Sequence, residues 1–292
     1  MFQGIGTAII TPFNENMEVD YGDLRNITRT QVEAGTDSII VLGTTGESPT
    51  ITTEERKQIV KTVVEEVKGK IPVIVGTGTN SAVDVVANNK MAEESGADGL
   101  LIVTPYYNKS TQDGLYQSFK LYANHTRLPI ILYNVPSRTG VNLDIETVIR
   151  LYNDCENIVG IKEAGGDISY VAELIAKRPE GLKVFSGNDD QALPLIALGG
   201  EGLISVAGNV IPKDMVNLTH LLLQGNITDA QKFNNRLNKF FNDLFIEVNP
   251  IPVKFAASLM GICDNSLRLP LVTLSGKNEK VIENTMQDLG LI

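Results

Sequence analysis

The sequence predicts an α/β protein, a (β/α)8 TIM barrel followed by a C-terminal helical extension. Three observations carry this. Eight short, β-branched-rich runs recur between residues 6 and 206. Polar loops and amphipathic helical patterns separate them. The runs are continuously apolar rather than alternating, which suits parallel strands buried on both faces. At 292 residues the chain has room for such a barrel, which typically needs about 250.

The predicted strands are GTAII (6–10), SIIVLG (38–43), PVIVG (72–76), GLLIVT (99–104), PIILYN (129–134), IVGIK (158–162), KVFSG (183–187) and GLISV (202–206). Helix starts are marked by Thr52 with Glu55, which fits a capping box, and by Asp20, Ser81, Asp144 and Asp167 as N-caps. Apolar spacing such as Ile59, Val60, Val63, Val64 and Val67 is helical. A short element recurs as AGTDSIIVLG, SGADGLLIVT and GGEGLISV: a glycine helix stop, an acidic turn residue, then a strand. Eight regular units with no obvious edge strand favour closure over a doubly wound open sheet. After residue 210 the pattern is wholly helical. Phe233, Leu237, Phe240, Phe241, Leu244, Phe245 and Val248 fall on one broad face, and NPIPVK breaks that helix and starts another. The division is therefore residues 1–224 as the barrel carrying the active site and 225–292 as the helical extension.

The 42% hydrophobic content allows a sizeable core. A net charge of −10 argues against a nucleic-acid partner, since phosphate binding needs clustered Lys and Arg. No apolar run approaches a membrane span and the N-terminus lacks a basic segment before its apolar run, so the expectation is a cytoplasmic protein without a membrane partner. Cys155 and Cys263 have no disulfide or metal spacing, and His125 and His220 fall in helical stretches. No catalytic metal is expected.

In a barrel, chemistry belongs at the C-terminal strand ends. Lys162 closes the apolar run NIVGIK there. A buried ammonium loses hydration, and a neutral amine attacks carbonyl carbons to form Schiff bases. The structural alternative is a lysine paired with Glu163 or another carboxylate at the rim. GTTGES (43–48) offers backbone N–H groups and the Thr44 and Thr45 hydroxyls to a carboxylate, or is a plain strand–helix turn. Tyr133 ends a strand and is either a proton relay near Lys162, positioned by Thr45, or a core tyrosine. Tyr106 and Tyr107 are adjacent and, on extended backbone, face opposite ways. Arg138, in a Pro/Gly loop, is either a bidentate carboxylate ligand or a surface arginine.

Taken together, TAIITPF, GTTGES, TPYYNK, YNVPSRTG, IKEAGG, NPIPVK and LRLPL resemble, over nearly the whole chain, the dihydrodipicolinate (4-hydroxy-tetrahydrodipicolinate) synthase family. That family lies within the class I aldolases of the N-acetylneuraminate lyase superfamily. The resemblance implies pyruvate held as a Schiff base on Lys162 and a relay of Thr45, Tyr133 and Tyr107. It implies that Tyr107 crosses a tight dimer interface. Thr44 and Thr45 would hold the pyruvate carboxylate, Arg138 the carboxylate of L-aspartate 4-semialdehyde, and the main chain of Gly187 and Ile204 would line the pocket. The implied activity is a Schiff-base lyase of lysine and diaminopimelate biosynthesis, without cofactor. The implied assembly is a homo-oligomer, a tight dimer and a dimer of dimers as in a homotetramer. Ser48, Asn80 and Tyr106 resemble the lysine-feedback site of the family, whereas Thr53, Arg56 and Asp84 depart from it, so weak or absent feedback is expected. Two rivals stay open: another pyruvate aldolase of the superfamily, and a barrel that regulates or binds without catalysis.

Overall fold

The computed structural model describes residues 2–292 and forms a closed, all-parallel eight-stranded barrel in the order β1 to β8. The strands are β1 (Gly4–Ala8), β2 (Ser38–Val41), β3 (Val73–Gly76), β4 (Gly99–Val103), β5 (Ile130–Asn134), β6 (Ile158–Glu163), β7 (Lys183–Ser186) and β8 (Gly202–Ser205). The helices are α1 (Tyr21–Ala34), α2 (Thr53–Val67), α3 (Ala82–Glu94), α4 (Gln112–Asn124), a single turn α5 (Pro136–Thr139), α6 (Ile145–Asp154), α7 (Ile168–Lys177), α8 (Ala192–Ala197) and α9 (Pro212–Leu223). Three further helices follow: α10 (Ile227–Asp243), α11 (Ile251–Leu259) and α12 (Gly276–Asp288).

Alternation along each strand divides the core in two. Ile39, Val41, Leu100, Ile102, Ile130 and Leu132 face the helices, while Ala8, Ile40, Ile74, Leu101, Ile131, Phe185 and Ile204 fill the barrel interior above Phe2. The capping box of Thr52 and Glu55 forms, and Asp20, Ser81 and Asp167 accept backbone N–H groups at their helix starts. Asp144 occupies an N-cap position without a side-chain cap bond.

Two expectations are corrected. The first strand begins two residues earlier than its apolar run. It ends at Ala8 because the Asn209 side chain takes over as acceptor for the Ile10 N–H at 2.9 Å. The broad helical face assigned to residues 233–248 stops with α10 at Asp243. Leu244 is still buried, but Phe245 and Val248 are exposed beyond the helix end.

The recurring acidic turn residue has a common job. Asp37, Asp98 and Glu201 each precede an even-numbered strand, and each carboxylate accepts the N–H of a residue in the preceding strand: Ile5, Val73 and Val184, at 2.8 Å in every case. The backbone N–H of each acid donates to the carbonyl of that same residue. The pairing closes otherwise unsatisfied donors at the N-terminal end of the barrel, away from the catalytic face. Asp98→Ala should therefore cost about 1–2 kcal/mol, read as a lower midpoint in urea unfolding, with kcat unchanged.

Candidate active site

Lys162 reaches the barrel interior through a local irregularity. Counted from Ile158, which packs outward, strict alternation would send Lys162 outward too. The β5–β6 register instead jumps from Ile130↔Ile158 to Ile131↔Gly160, which leaves Val159 as an extra residue. The extra residue reverses the phase. Ile161 now packs against the helices and Lys162 turns inward, opposite Tyr133 on β5 and Phe185 on β7. Bulges re-aim side chains in this way.

The Lys162 side chain enters a cavity of about 260 Å³ at the C-terminal mouth of the barrel. The residue is 5% exposed, and its Nζ sits 4.4 Å from the centroid of the Tyr133 ring. No ion pair engages it among the described residues. Glu163, the rim partner considered from sequence, points the other way: its carboxylate accepts from Asn134 Nδ2 at 2.7 Å and from the Gly165 N–H at 2.5 Å. Burial pushes the Glu163 carboxyl up, partly offset by those two bonds.

Thr44, Thr45, Tyr133, Arg138, Lys162 and Gly187 all line this one cavity. Gly187 makes room for the lysine, since a Cβ there would stand 2.8 Å from Lys162 Cε and 2.6 Å from Ala164 Cβ. Arg138, on α5, donates from Nη2 to the Asn249 carbonyl at 3.1 Å. The Ile204 side chain sits in the interior apolar layer with Ala8, Ile40 and Phe185. Tyr107 has a left-handed backbone, φ 70°, and is 92% exposed outside its own chain's cavity. Tyr106 lines a neighbouring cavity of about 230 Å³ with Ser48 and Arg56, which shares the Tyr133 and Arg138 walls. There the Arg56 guanidinium donates to the Ser48 carbonyl.

Sequence reasoning missed the contribution of the C-terminal region. Phe245 and Asn249 line the lysine cavity, and Asn249 Nδ2 donates to Thr45 Oγ1 at 3.1 Å across 204 positions of sequence. The loop after β8 is held by Asp189, fully buried, whose carboxylate accepts from Ser205 Oγ at 2.5 Å and from the Val206 and Ala207 N–H groups. Burial raises the Asp189 carboxyl above its ordinary range, and the Ser205 bond opposes that.

The arrangement combines a buried amine, hydroxyls beside it, and a guanidinium on the rim. That set suits imine chemistry on a small oxo acid, with a second anion held at the mouth. The family model described as "Dihydrodipicolinate synthetase family" matches residues 1–289. A 4-hydroxy-tetrahydrodipicolinate synthase of Thermotoga neapolitana is 48% identical, with each chain covered completely. The crystal structure of a dihydrodipicolinate synthase from Thermotoga maritima is 47% identical with a TM-score of 0.98 over all of both chains. That of a chloride-inhibited dihydrodipicolinate synthase from Acinetobacter baumannii, complexed with pyruvate, is 42% identical with a TM-score of 0.98, again over both complete chains.

Proposed function

This chain belongs to the dihydrodipicolinate synthetase family, and from that premise we propose that it condenses pyruvate with L-aspartate 4-semialdehyde to give 4-hydroxy-tetrahydrodipicolinate. This is the first committed step toward diaminopimelate and lysine. The observation that carries the reading is Lys162: a buried amine without a carboxylate partner among the described residues, beside Tyr133, in the cavity that Arg138 also lines.

The Lys162 amine attacks C2 of pyruvate, and loss of water gives the imine. Removal of a methyl proton yields the enamine, whose carbon attacks the aldehyde carbon of the second substrate. The aldehyde oxygen takes up a proton. The semialdehyde amine then attacks the imine carbon, closing the ring and releasing Lys162. One water leaves overall. In this reading Tyr133, Thr45 and Tyr107 carry the protons, Thr44 and Thr45 hold the pyruvate carboxylate, and the cavity-lining glycine, Gly187, keeps space around Lys162. The exposure of Tyr107 outside its own cavity supports its use by a neighbouring copy, hence a homo-oligomer built on a tight dimer, with a dimer of dimers as the full assembly. Residues 1–224 form the catalytic barrel and 225–292 an extension that lends Phe245 and Asn249 to its mouth. Among the described residues no helix is long and apolar enough to cross a membrane, and a cytoplasmic location is part of the proposal.

Arg138→Ala tests the choice of second substrate. Loss of the guanidinium should lower kcat/KM for the semialdehyde on the order of 100-fold, while imine formation with pyruvate persists. Equal semialdehyde use by the variant and the parent would move the assignment to a different pyruvate aldolase.

A further inference from the structure

Thr45 is buried, and its hydroxyl is gripped from the far end of the chain. Asn249 Nδ2 donates to Thr45 Oγ1 at 3.1 Å, and the Asn249 carbonyl accepts from Arg138 Nη2 at 3.1 Å. Asn249 is itself buried and lines the lysine cavity. A hydroxyl that accepts one bond still has one proton to donate, and the Asn249 donor turns that proton away from Asn249. The reverse arrangement, with Thr45 donating to Asn249 Oδ1, would hide the proton; Oδ1 is buried and has no partner among the described residues.

A sealed anchor holds the two groups together. Lys254, on α11 and five residues beyond Asn249, pairs with Glu47 Oε1 at 2.5 Å, and neither side chain is more than 1% exposed. Glu47 lies two residues after Thr45, in left-handed backbone at φ 53°. The loop is thus joined at two points, by Asn249–Thr45 to the residue just before α11 starts and by Lys254–Glu47 to α11 itself.

We propose that Asn249 is a positioning residue: its amide donates to Thr45 and so directs the Thr45 hydroxyl proton into the cavity that holds Lys162 and Tyr133. The inference rests on the roles given above to Lys162 and Thr45. An isosteric carboxylate can only accept from Thr45 and would pull its proton the wrong way.

The test uses the full-length chain and variants N249D, N249A, T45V and T45V/N249D. One readout is exchange of the pyruvate methyl protons with D2O, without the second substrate and therefore without Arg138. The other is the split between kcat and KM in the complete reaction. N249D is expected to slow exchange and kcat by 10- to 100-fold, on the scale of a misdirected acid–base group, with KM for pyruvate changed less than threefold. N249A should fall between N249D and the parent. In the T45V background N249D should add less than twofold, because both changes act through one hydroxyl. Full-sized slowing by N249D on top of T45V, or parent-like exchange in N249D and N249A, overturns the proposal. Borohydride trapping of pyruvate on the parent keeps this separate from the parent reading: absence of a Lys162 adduct would sink the Schiff-base assignment itself.

Discussion

Lys162→Met should lower kcat/KM by a factor on the order of 1,000 or more while leaving the protein folded and no less stable. The loss follows from removing the nucleophile of a covalent mechanism. The retained stability follows from the surroundings: the lysine is buried, carries no ion pair among the described residues, and sits between Tyr133 and Phe185 of the apolar interior layer. A thioether of similar length fills the same space without a polar amine to desolvate. Steady-state kinetics and a thermal melt on the same preparation check both halves. Activity above a tenth of the parent would show that no covalent step passes through this residue.

Lys254→Met carries the largest expected stability effect. The Lys254 ammonium touches Glu47 at 2.5 Å, donates to the Ser266 carbonyl at 2.8 Å and lies 4.0 Å from the Phe13 ring centroid. Burial lowers the Lys254 pKa and the Glu47 charge opposes that. Removing the lysine strands a buried carboxylate, a change that typically costs about 3–5 kcal/mol. Among the described residues the Glu47 carboxylate then keeps only the Arg268 N–H at 3.1 Å. Pairing the change with Glu47→Gln removes the stranded charge, so the double variant should regain at least about 2 kcal/mol relative to Lys254→Met. Urea unfolding of the two single variants and the double variant reads this directly. A double variant as unstable as Lys254→Met would mean that packing, not charge, dominates.

The same clamp extends to the start of α2. The Arg268 guanidinium donates to both Glu55 oxygens, at 2.5 and 2.8 Å, and holds that carboxyl down at about 2. Glu55 thus serves both the capping box of α2 and the C-terminal segment. The segment around LRLPL is therefore fastened to the loop that carries Thr44 and Thr45 through Glu47, and to the helix that follows it.

What could be read from sequence follows from range. Strands buried on both faces write continuous apolar runs, and helix starts write a polar cap, so the barrel and most of its caps were visible locally. Lys162, Tyr133, the Thr44–Thr45 pair and Arg138 stood out because each is a chemically expensive or unusual residue at a strand end. The direction of Lys162 was not legible. It depends on the extra residue Val159, and a register shift is a property of two paired strands rather than of one. Asn249 and Phe245 were hidden for the same reason: their neighbours in the cavity lie far away in sequence, and NPIPVK reads locally as a helix break. The shared work of Asp37, Asp98 and Glu201 was visible only as a faint repeat until their cross-strand partners were known.

The most direct measurement is borohydride reduction in the presence of pyruvate, followed by peptide mass mapping. The expected result is a reduced pyruvyl adduct on the peptide containing Lys162, absent from Lys162→Met. A folded protein that gives no adduct, or one on a different lysine, would contradict the assignment of Lys162 as the imine-forming residue.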